Sequence, residues 1–294
     1  MLTLTDSRSE ATSRISLVVL TFNEEENLER CLQSAAPLCQ EVFVVDSGST
    51  DRTIDIARRY GRVVQHPFET HALQWKWALE NLPLSNEWVL ALDADQHLTR
   101  ELAAEIRTLF SQGNVREDID GFFLSRRQIF KGQWIRHGGY YPKYLLKLFR
   151  ASRVQMDTDD LVDHHFHLAG RVAKLRHDLI EDNRKENEIA FWIQKHNRYA
   201  RLLAQEDLKR RISSNHLIRP VPFGNPDQRV LWRKNLWRRC PSYVRPVLYF
   251  TYRYVIQAGF LDGKQGFVFH FMQAFWFRLL VDVNIEELKK GEVS

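Results

Sequence analysis

Apolar residues follow two rhythms in the first part of the chain. ISLVVLTF (15–22) and EVFVVDSG (41–48) are nearly continuous apolar, β-branched runs, as expected of strands covered on both faces. EEENLERCLQSAAPL sets Leu28, Leu32 and Ala35 at helical spacing, and DRTIDIARRY turns Ile54 and Ala57 inward. THALQWKWALENL and TRELAAEIRTLF predict two more helices, RVVQHPF and EWVLALD two more strands. Thr50, Asp51 and Thr99 stand where N-caps are needed. Strand–helix alternation with short loops predicts an α/β fold with a parallel sheet and right-handed crossovers. Such sheets bind ligands at the carboxyl ends of their strands, which gathers Asn23, Asp46, Asp93 and Asp95 on one edge.

Beyond about residue 118 the rhythm changes. DGFFLSRRQIF, YLLKLFR and RVAKLRHDLI read as longer strands of a mixed extension, and a helix runs from Glu186 to Arg211 with Ala190, Ile193, Asn197, Ala200 and Leu203 near one face. SSNHLIRPVPFGNPD (213–227), with Pro220, Pro222, Gly224 and Pro226, reads as a linker. The chain therefore divides into a polar, disordered tail (1–14), a catalytic-sized domain (15–212), the linker, and a basic, aromatic helical extension (228–294).

The 294 residues are 44% hydrophobic, enough for one large core. Cys31, Cys39 and Cys240 have no metal-ligand spacing and suit a reducing compartment. The tail lacks the apolar stretch of a secretory signal, and no uncharged run reaches the length needed to span a bilayer. These features predict a soluble or peripheral protein on the cytoplasmic side. The net charge of +5 is uneven: from Lys209 to Lys264 only Asp227 and Asp262 oppose twelve basic residues, so the C-terminal part calls for an anionic partner.

The chemistry concentrates in Asp93-Ala94-Asp95. Two carboxylates at a buried strand end repel each other unless something positive sits between them or they point apart, one as a helix N-cap and the other as a surface loop acid. Mg²⁺ or Mn²⁺ takes one or two carboxylates completed by phosphates and water. Together with TFNEEENL (21–28) and VVDSGSTD (44–51), LALDADQHL resembles the inverting, GT-A-type glycosyltransferases of family 2, over about residues 15–112. The resemblance implies a GT-A fold, a Rossmann-like mixed sheet flanked by helices, here with a C-terminal helical, membrane-associating extension. It implies that Thr21, Asn23 and Glu25 border the nucleoside of a nucleotide-sugar donor, a UDP-sugar first among them. Asp46 would bond base or ribose, and Asp93 and Asp95 would hold the ribose and the divalent metal. Three departures stand out: Asp46-Ser47 replaces a pair of acids, Trp75-Lys76 an Arg-Asn pair, and Gln96 a third acid. Lys76 is then a candidate contact to the diphosphate, with a solvated helix lysine as the alternative.

GGYYPKYLLKLFR, LVDHHF, DLIEDNRK and WIQKHNRYA look like bacterial envelope-polysaccharide enzymes, including lipopolysaccharide-core glucosyltransferases. Relatives carry Glu at position 164 and His at position 181, so imidazole and acid have traded places here. The base that deprotonates the acceptor hydroxyl is then sought among Asp163, His164, Glu181 and Asp182. Lys195 and Arg198, one helical turn apart, can meet one phosphate of the acceptor. Arg136 and His137 belong to a loop able to close over the donor, and Trp134, Tyr140 and Tyr141 offer faces for sugar stacking or for a core or interface. In the extension, Trp232, Leu236 and Trp237 share a face opposite Arg233, Lys234, Arg238 and Arg239, the pattern of an interfacial helix on an anionic leaflet. FVFHFMQAFWFRLLV is long enough to dip into a membrane and too short to span it comfortably, the alternative being a helix packed on the catalytic domain.

These features predict a metal-dependent transferase on the cytoplasmic face of the inner membrane, with a lipid-linked, lipopolysaccharide or polysaccharide acceptor. A nucleotidyltransferase acting on sugar phosphates would need a basic Gly-rich loop where TFNEEEN is acidic. A nucleic-acid-binding module fits the basic tail alone, and the acidic strand ends argue against a nucleic-acid partner.

Overall fold

The computed structural model describes residues 13–111, 115–156, 161–162, 166–212, 220–224 and 226–291. Its centre is a mixed sheet. The strands β1 (Ser13–Thr21), β2 (Cys39–Asp46), β3 (Arg62–Gln65) and β4 (Trp88–Asp93) pair in parallel. The second half adds β8 (Lys143–Arg150), antiparallel to β4 and to β6 (Ile119–Phe130). β11 (Arg171–Glu181) runs parallel to β6 and carries the short β5 (Gln96–Leu98) on its far side, which gives the order β3-β2-β1-β4-β8-β6-β11-β5. The short β7 (Gln133–Ile135) pairs with β6, and β9 (Val154–Met156) and β10 (Phe166–Leu168) pair with each other.

The apolar runs are strands because both faces of the sheet are covered. Ile15, Leu17 and Val19 pack toward α1 (Leu28–Ala35), α2 (Thr53–Arg58) and α4 (Arg100–Ser111), while Val18 and Leu20 pack toward Trp75 and Ala78 of α3 (His71–Asn81). Thr99 caps α4 by accepting the Leu102 N–H at 3.1 Å, and Asp51 accepts the Thr53 N–H at 3.0 Å at the start of α2. Trp75, at a position the resemblance would fill with a polar residue, is wholly buried and edge-on to Phe166.

α5 (Ile189–Ile212) buries a stripe rotated from the expected one. Trp192, Ala200 and Ala204 are fully covered, whereas Ile193 is 38% exposed. The reason is tertiary: Ala200 and Ala204 are small enough to admit Phe277, Val281 and Ile285 of α9 (Phe277–Gly291).

The C-terminal helices are α6 (Pro226–Arg239), α7 (Val244–Thr251), α8 (Gly263–His270) and α9. They clamp the catalytic half instead of standing apart from it. Gly138 N–H donates to Gln257 O at 2.9 Å, Gln133 Nε2 to Asp262 O at 2.7 Å, and Arg253 Nη1 to Gly138 O at 2.6 Å. His137 donates its N–H to Asp262 Oδ2, with its Nδ1 2.7 Å from Oδ1. The loop expected to be free to close over a donor is thus pinned. The linker falls largely outside the described residues.

The helical stretch Gly259–Lys290 is longer than the apolar core read from the sequence, and by length and composition alone it suffices to cross a membrane. Its α9 portion packs on α5, and Asp282 within it is buried against Arg245.

Candidate active site

A cavity of about 2860 Å³ opens along the carboxyl edge of the parallel strands and continues between α5 and the C-terminal helices. Thr21, Asn23, Asp93, Asp95, Glu181, Lys195 and Arg198 all line it.

At the end of β1, Thr21 is buried and lines the cavity, and its hydroxyl has no hydrogen-bond partner among the described residues. Asn23 adopts φ of +52° and its Oδ1 accepts the Thr50 N–H at 2.8 Å, tying the loop after β1 to the loop after β2. The acid facing the cavity is Glu24, paired with Lys185 Nζ at 2.5 Å. Glu25 does not line the cavity; it turns outward to Arg52 Nε at 3.0 Å. Asp46 is fully buried, and its carboxylate accepts the Gly48 and Ser49 N–H groups at 2.9 Å each, plus the Ser49 hydroxyl. Its carboxylate is used in shaping its own loop, so Ser47 reaches the cavity where Asp46 was expected. Lys76 is exposed on the outer face of α3 beside Glu80 and does not line the cavity, whereas Gln74 and His71 do.

The Asp-x-Asp step is held from the second half of the chain. Lys147 of β8, 3% exposed, places its Nζ 2.9 Å from Asp93 Oδ2. Gln96 bridges: its Oε1 accepts the Asp93 N–H at 3.1 Å while its Nε2 donates to Glu181 Oε2 at 2.9 Å. Glu181 also takes Arg126 Nη1 at 2.8 Å. Asp95 accepts from Asn183 Nδ2 at 3.2 Å, and its carbonyl accepts the Asp182 N–H at 3.0 Å. Burial, then the charge of Glu181, push the Asp95 carboxyl well above the usual carboxylate range. Burial would also raise Glu181, but Arg126 and the Gln96 bond bring it below that range.

Asp182 turns the other way. Its carboxylate pairs with Arg30 Nη1 at 2.5 Å on α1, and it does not line the cavity. Asp163 and His164 lie outside the described residues. Lys195 reaches Glu186 Oε1 at 2.6 Å; burial opposes its charge, yet Glu186, Tyr199 and Asp95 hold the ammonium above its ordinary range. Arg198 is exposed beside the Tyr199 ring.

Among the described residues no three His, Cys, Asp or Glu side chains converge as a ready-made metal cage. The donor set still fits a hard cation. Asp95 is a carboxylate raised by burial and by Glu181, a repulsion that a divalent ion relieves, with phosphate oxygens and water completing the shell. Lys147, Arg126 and Asn183 were missed in the sequence. A lysine at an inward position of the apolar run KYLLKLFR, and an arginine in GFFLSRRQIF, were the available signals, because a buried cation requires a partner.

Comparison with known proteins follows the same lines. Residues 16–179 match the family described as glycosyl transferase family 2. An uncharacterized glycosyltransferase of Rickettsia bellii is 39% identical over 104 residues, 35% of either chain, so the chain spans about a third of that relative's length. The lipopolysaccharide core biosynthesis glycosyltransferase LpsC of Rhizobium meliloti is 26% identical over 280 residues, covering 88% of this chain and 90% of LpsC. Among solved structures, the mannosyltransferase PcManGT of Pyrobaculum calidifontis, with GDP-Man and Mn²⁺, superposes with a TM-score of 0.52 at 17% identity, over 94% of this chain and 88% of the other. That likeness is one of fold, a mixed sheet flanked by helices in the GT-A manner.

Proposed function

The chain belongs to glycosyl transferase family 2, and from that membership we propose that it moves a sugar from a nucleotide-sugar donor, with inversion, to a lipid-linked, lipopolysaccharide or polysaccharide acceptor in envelope glycan synthesis. The observation that carries this reading is the convergence of Asp93, Asp95, Glu181 and Lys195 on one cavity at the carboxyl edge of the sheet. The LpsC likeness over most of both chains supports the acceptor class.

Asp95, with Asp93 or Glu181, would hold Mg²⁺ or Mn²⁺, which supplies charge to stabilise the leaving diphosphate. Lys147 already neutralises Asp93 at 2.9 Å, so the ion depends chiefly on Asp95. Thr21 and Asn23 would border the nucleoside, a UDP-sugar first among the donors, and Lys195, which lines the same cavity, would meet the departing negative charge. A general base works best with a proton affinity near the operating pH. Glu181, paired with Arg126 and held below the carboxylate range, suits a fixed counter-charge better than proton acceptance. Asp182 is bound to Arg30, which leaves Asp163 and His164 as the residues to test as base.

We place the enzyme on the cytoplasmic face of the inner membrane. The apolar surface suited to a leaflet is α7 and the turns beyond it. Val244, Val247, Leu248, Tyr252, Val255 and Ile256 recur at helical spacing and are all at least 44% exposed. Trp232, Leu236 and Trp237 of α6, expected at the leaflet, border the cavity, as do Leu248 and Tyr252 of the stripe, and Trp232 and Leu236 are exposed as well. Ile256→Glu with Val255→Glu is expected to release the protein from anionic vesicles; unchanged vesicle binding would remove the membrane from this reading.

The central test is thermal stabilisation by UDP, GDP and dTDP with and without Mn²⁺, in the wild type and in Asp95→Asn. One nucleoside diphosphate is expected to stabilise only with the metal, and Asp95→Asn to lose that effect. Equal stabilisation without metal, or an undiminished effect in the variant, sinks the metal assignment.

A further inference from the structure

The cavity is several times the roughly 300–1,000 Å³ of a typical small-molecule site, and a nucleotide-sugar at Asp93 and Asp95 would leave its second arm empty. That arm lies between one face of α5 and the helices α6, α7 and α9. Its chemistry differs from the acidic strand edge. Arg253 donates Nη2 to the Tyr249 hydroxyl at 2.5 Å and lies 4.8 Å from the centre of that ring; Arg278 of α9 lies 5.6 Å from it. Arg233 of α6 lines the same arm. Burial pushes the Tyr249 phenol up, yet Arg253, Arg278 and Arg233 together bring it below its ordinary range, which registers how closely the three positive charges crowd it.

These cations have no carboxylate partner among the described residues. Arg278 makes no hydrogen bond there at all, and its Nε, like that of Arg253, is buried without a partner. Arg233 donates only to the Arg229 carbonyl. Glu287 is the acid that borders this end of the cavity. Elsewhere in the same helices a buried arginine is neutralised: Arg245 has Asp282 and Asp207. Arg253 and Arg278 are half-buried and Arg233 is exposed. The two half-buried, mutually repelling guanidiniums left without an acid are costly unless an anion joins them, and aromatic stacking offsets only part of that cost.

We propose that this arm, centred on Arg253, Arg278 and Arg233 around Tyr249, is the acceptor subsite and binds a phosphoryl group carried by the acceptor saccharide. A phosphoryl dianion matches several convergent guanidiniums, which take its oxygens in forked hydrogen bonds. The arm is continuous with the strand edge, so an acceptor anchored there by its phosphate extends its sugar toward Asp95. The exposed apolar stripe of α7 begins on the same helix as Tyr249, which suits an acceptor whose other end is a lipid. This inference rests on the transferase reading above and specifies its acceptor.

The test is calorimetric titration of the full-length protein with glucosamine 6-phosphate and with glucosamine. The phosphorylated sugar is expected to bind and the neutral one to bind at least about tenfold more weakly. Arg278→Gln and, separately, Arg233→Gln are each expected to weaken the phosphorylated sugar about tenfold while leaving UDP–Mn²⁺ affinity unchanged; Asp95→Asn is expected to do the reverse. Arg278 and Arg233 are chosen because Arg253 also holds the Gly138 carbonyl. Equal binding of both sugars overturns the proposal, as does phosphate binding that survives both arginine variants. Loss of phosphate binding in Asp95→Asn alone would put the phosphate in the donor site, which also overturns it. If the arginine variants lose anionic vesicles and keep the sugar phosphate, the arm serves lipid headgroups and the proposal falls. Failure of UDP–Mn²⁺ to bind the wild type would refute the donor reading and leave the sugar-phosphate comparison intact.

Discussion

His270 offers the sharpest quantitative test of how the C-terminal helices are joined to the catalytic half. Its ring is completely buried, both ring nitrogens lack hydrogen-bond partners among the described residues, and it is packed among Tyr140, Tyr254 and Phe269. Burial, then the positive charge of Arg253, lower its proton affinity from the ordinary 6.5 to about 4, with Asp262 opposing and His137 reinforcing the shift. The sign follows from which state takes the proton. Above pH 6.5 neither state binds one and the residue contributes nothing. Between 6.5 and 4 the unfolded chain is protonated and the folded chain is not, so stability falls as the pH falls. With about 1.4 kcal/mol for each tenfold difference in proton affinity, the full loss is about 3 kcal/mol, of which about 2 kcal/mol has been lost by pH 5. His270→Phe removes the titration and retains the aromatic packing. Urea unfolding of both proteins, followed by tryptophan fluorescence at pH 8 and pH 5, gives the comparison. The wild type should lose about 2 kcal/mol more than the variant between the two conditions. His196, also lowered to about 4 by burial, titrates in both proteins and cancels. If the two lose stability in parallel, the buried, unpartnered imidazole is not what ties this interface to pH.

Other outcomes are equally checkable. Lys147→Met takes the cation from Asp93, whose side chain is 25% exposed, and should cost about 2–3 kcal/mol in urea unfolding at neutral pH, less than a fully buried pair; a cost below about 0.5 kcal/mol would mean the pair is merely superficial. Glu24→Gln should weaken UDP–Mn²⁺ binding more than Glu25→Gln, because Glu24 faces the cavity and Glu25 faces Arg52; the opposite order, read by calorimetry, would reverse that assignment. Ala204→Leu, at a wholly buried contact between α5 and α9, should destabilise by about 1–3 kcal/mol through overpacking, and a neutral result would show that the two helices do not pack closely there. Single-turnover transfer by His164→Ala and Asp163→Ala should fall by roughly 10²-fold or more in one of them, with donor hydrolysis as the control; near-normal transfer by both returns the base to Glu181.

What the sequence determined by itself was the strand–helix alternation and the edge on which the chemistry would sit. Apolar runs such as ISLVVLTF and EWVLALD can be satisfied only inside a covered sheet, and side-chain periodicity is a local property. That Thr21, Asn23, Asp93 and Asp95 would gather along one cavity edge was legible because each lies at or just beyond the end of such a run. Tertiary structure decided which of the neighbouring polar groups point inward and what neutralises them. Glu24 faces the cavity in place of Glu25 because Lys185, arriving from far along the chain, pairs with it. Asp46 is used up by its own loop, and Lys76 is carried to the outer face of α3 by the burial of Trp75. Lys147 meets Asp93 and Arg126 meets Glu181 only once β8 and β6 join the sheet. The buried stripe of α5 was likewise chosen by α9, whose side chains fit over Ala200 and Ala204. Pattern within a segment reports its own periodicity; charge pairing and helix docking depend on residues a hundred positions away, and only the folded chain brings them within reach.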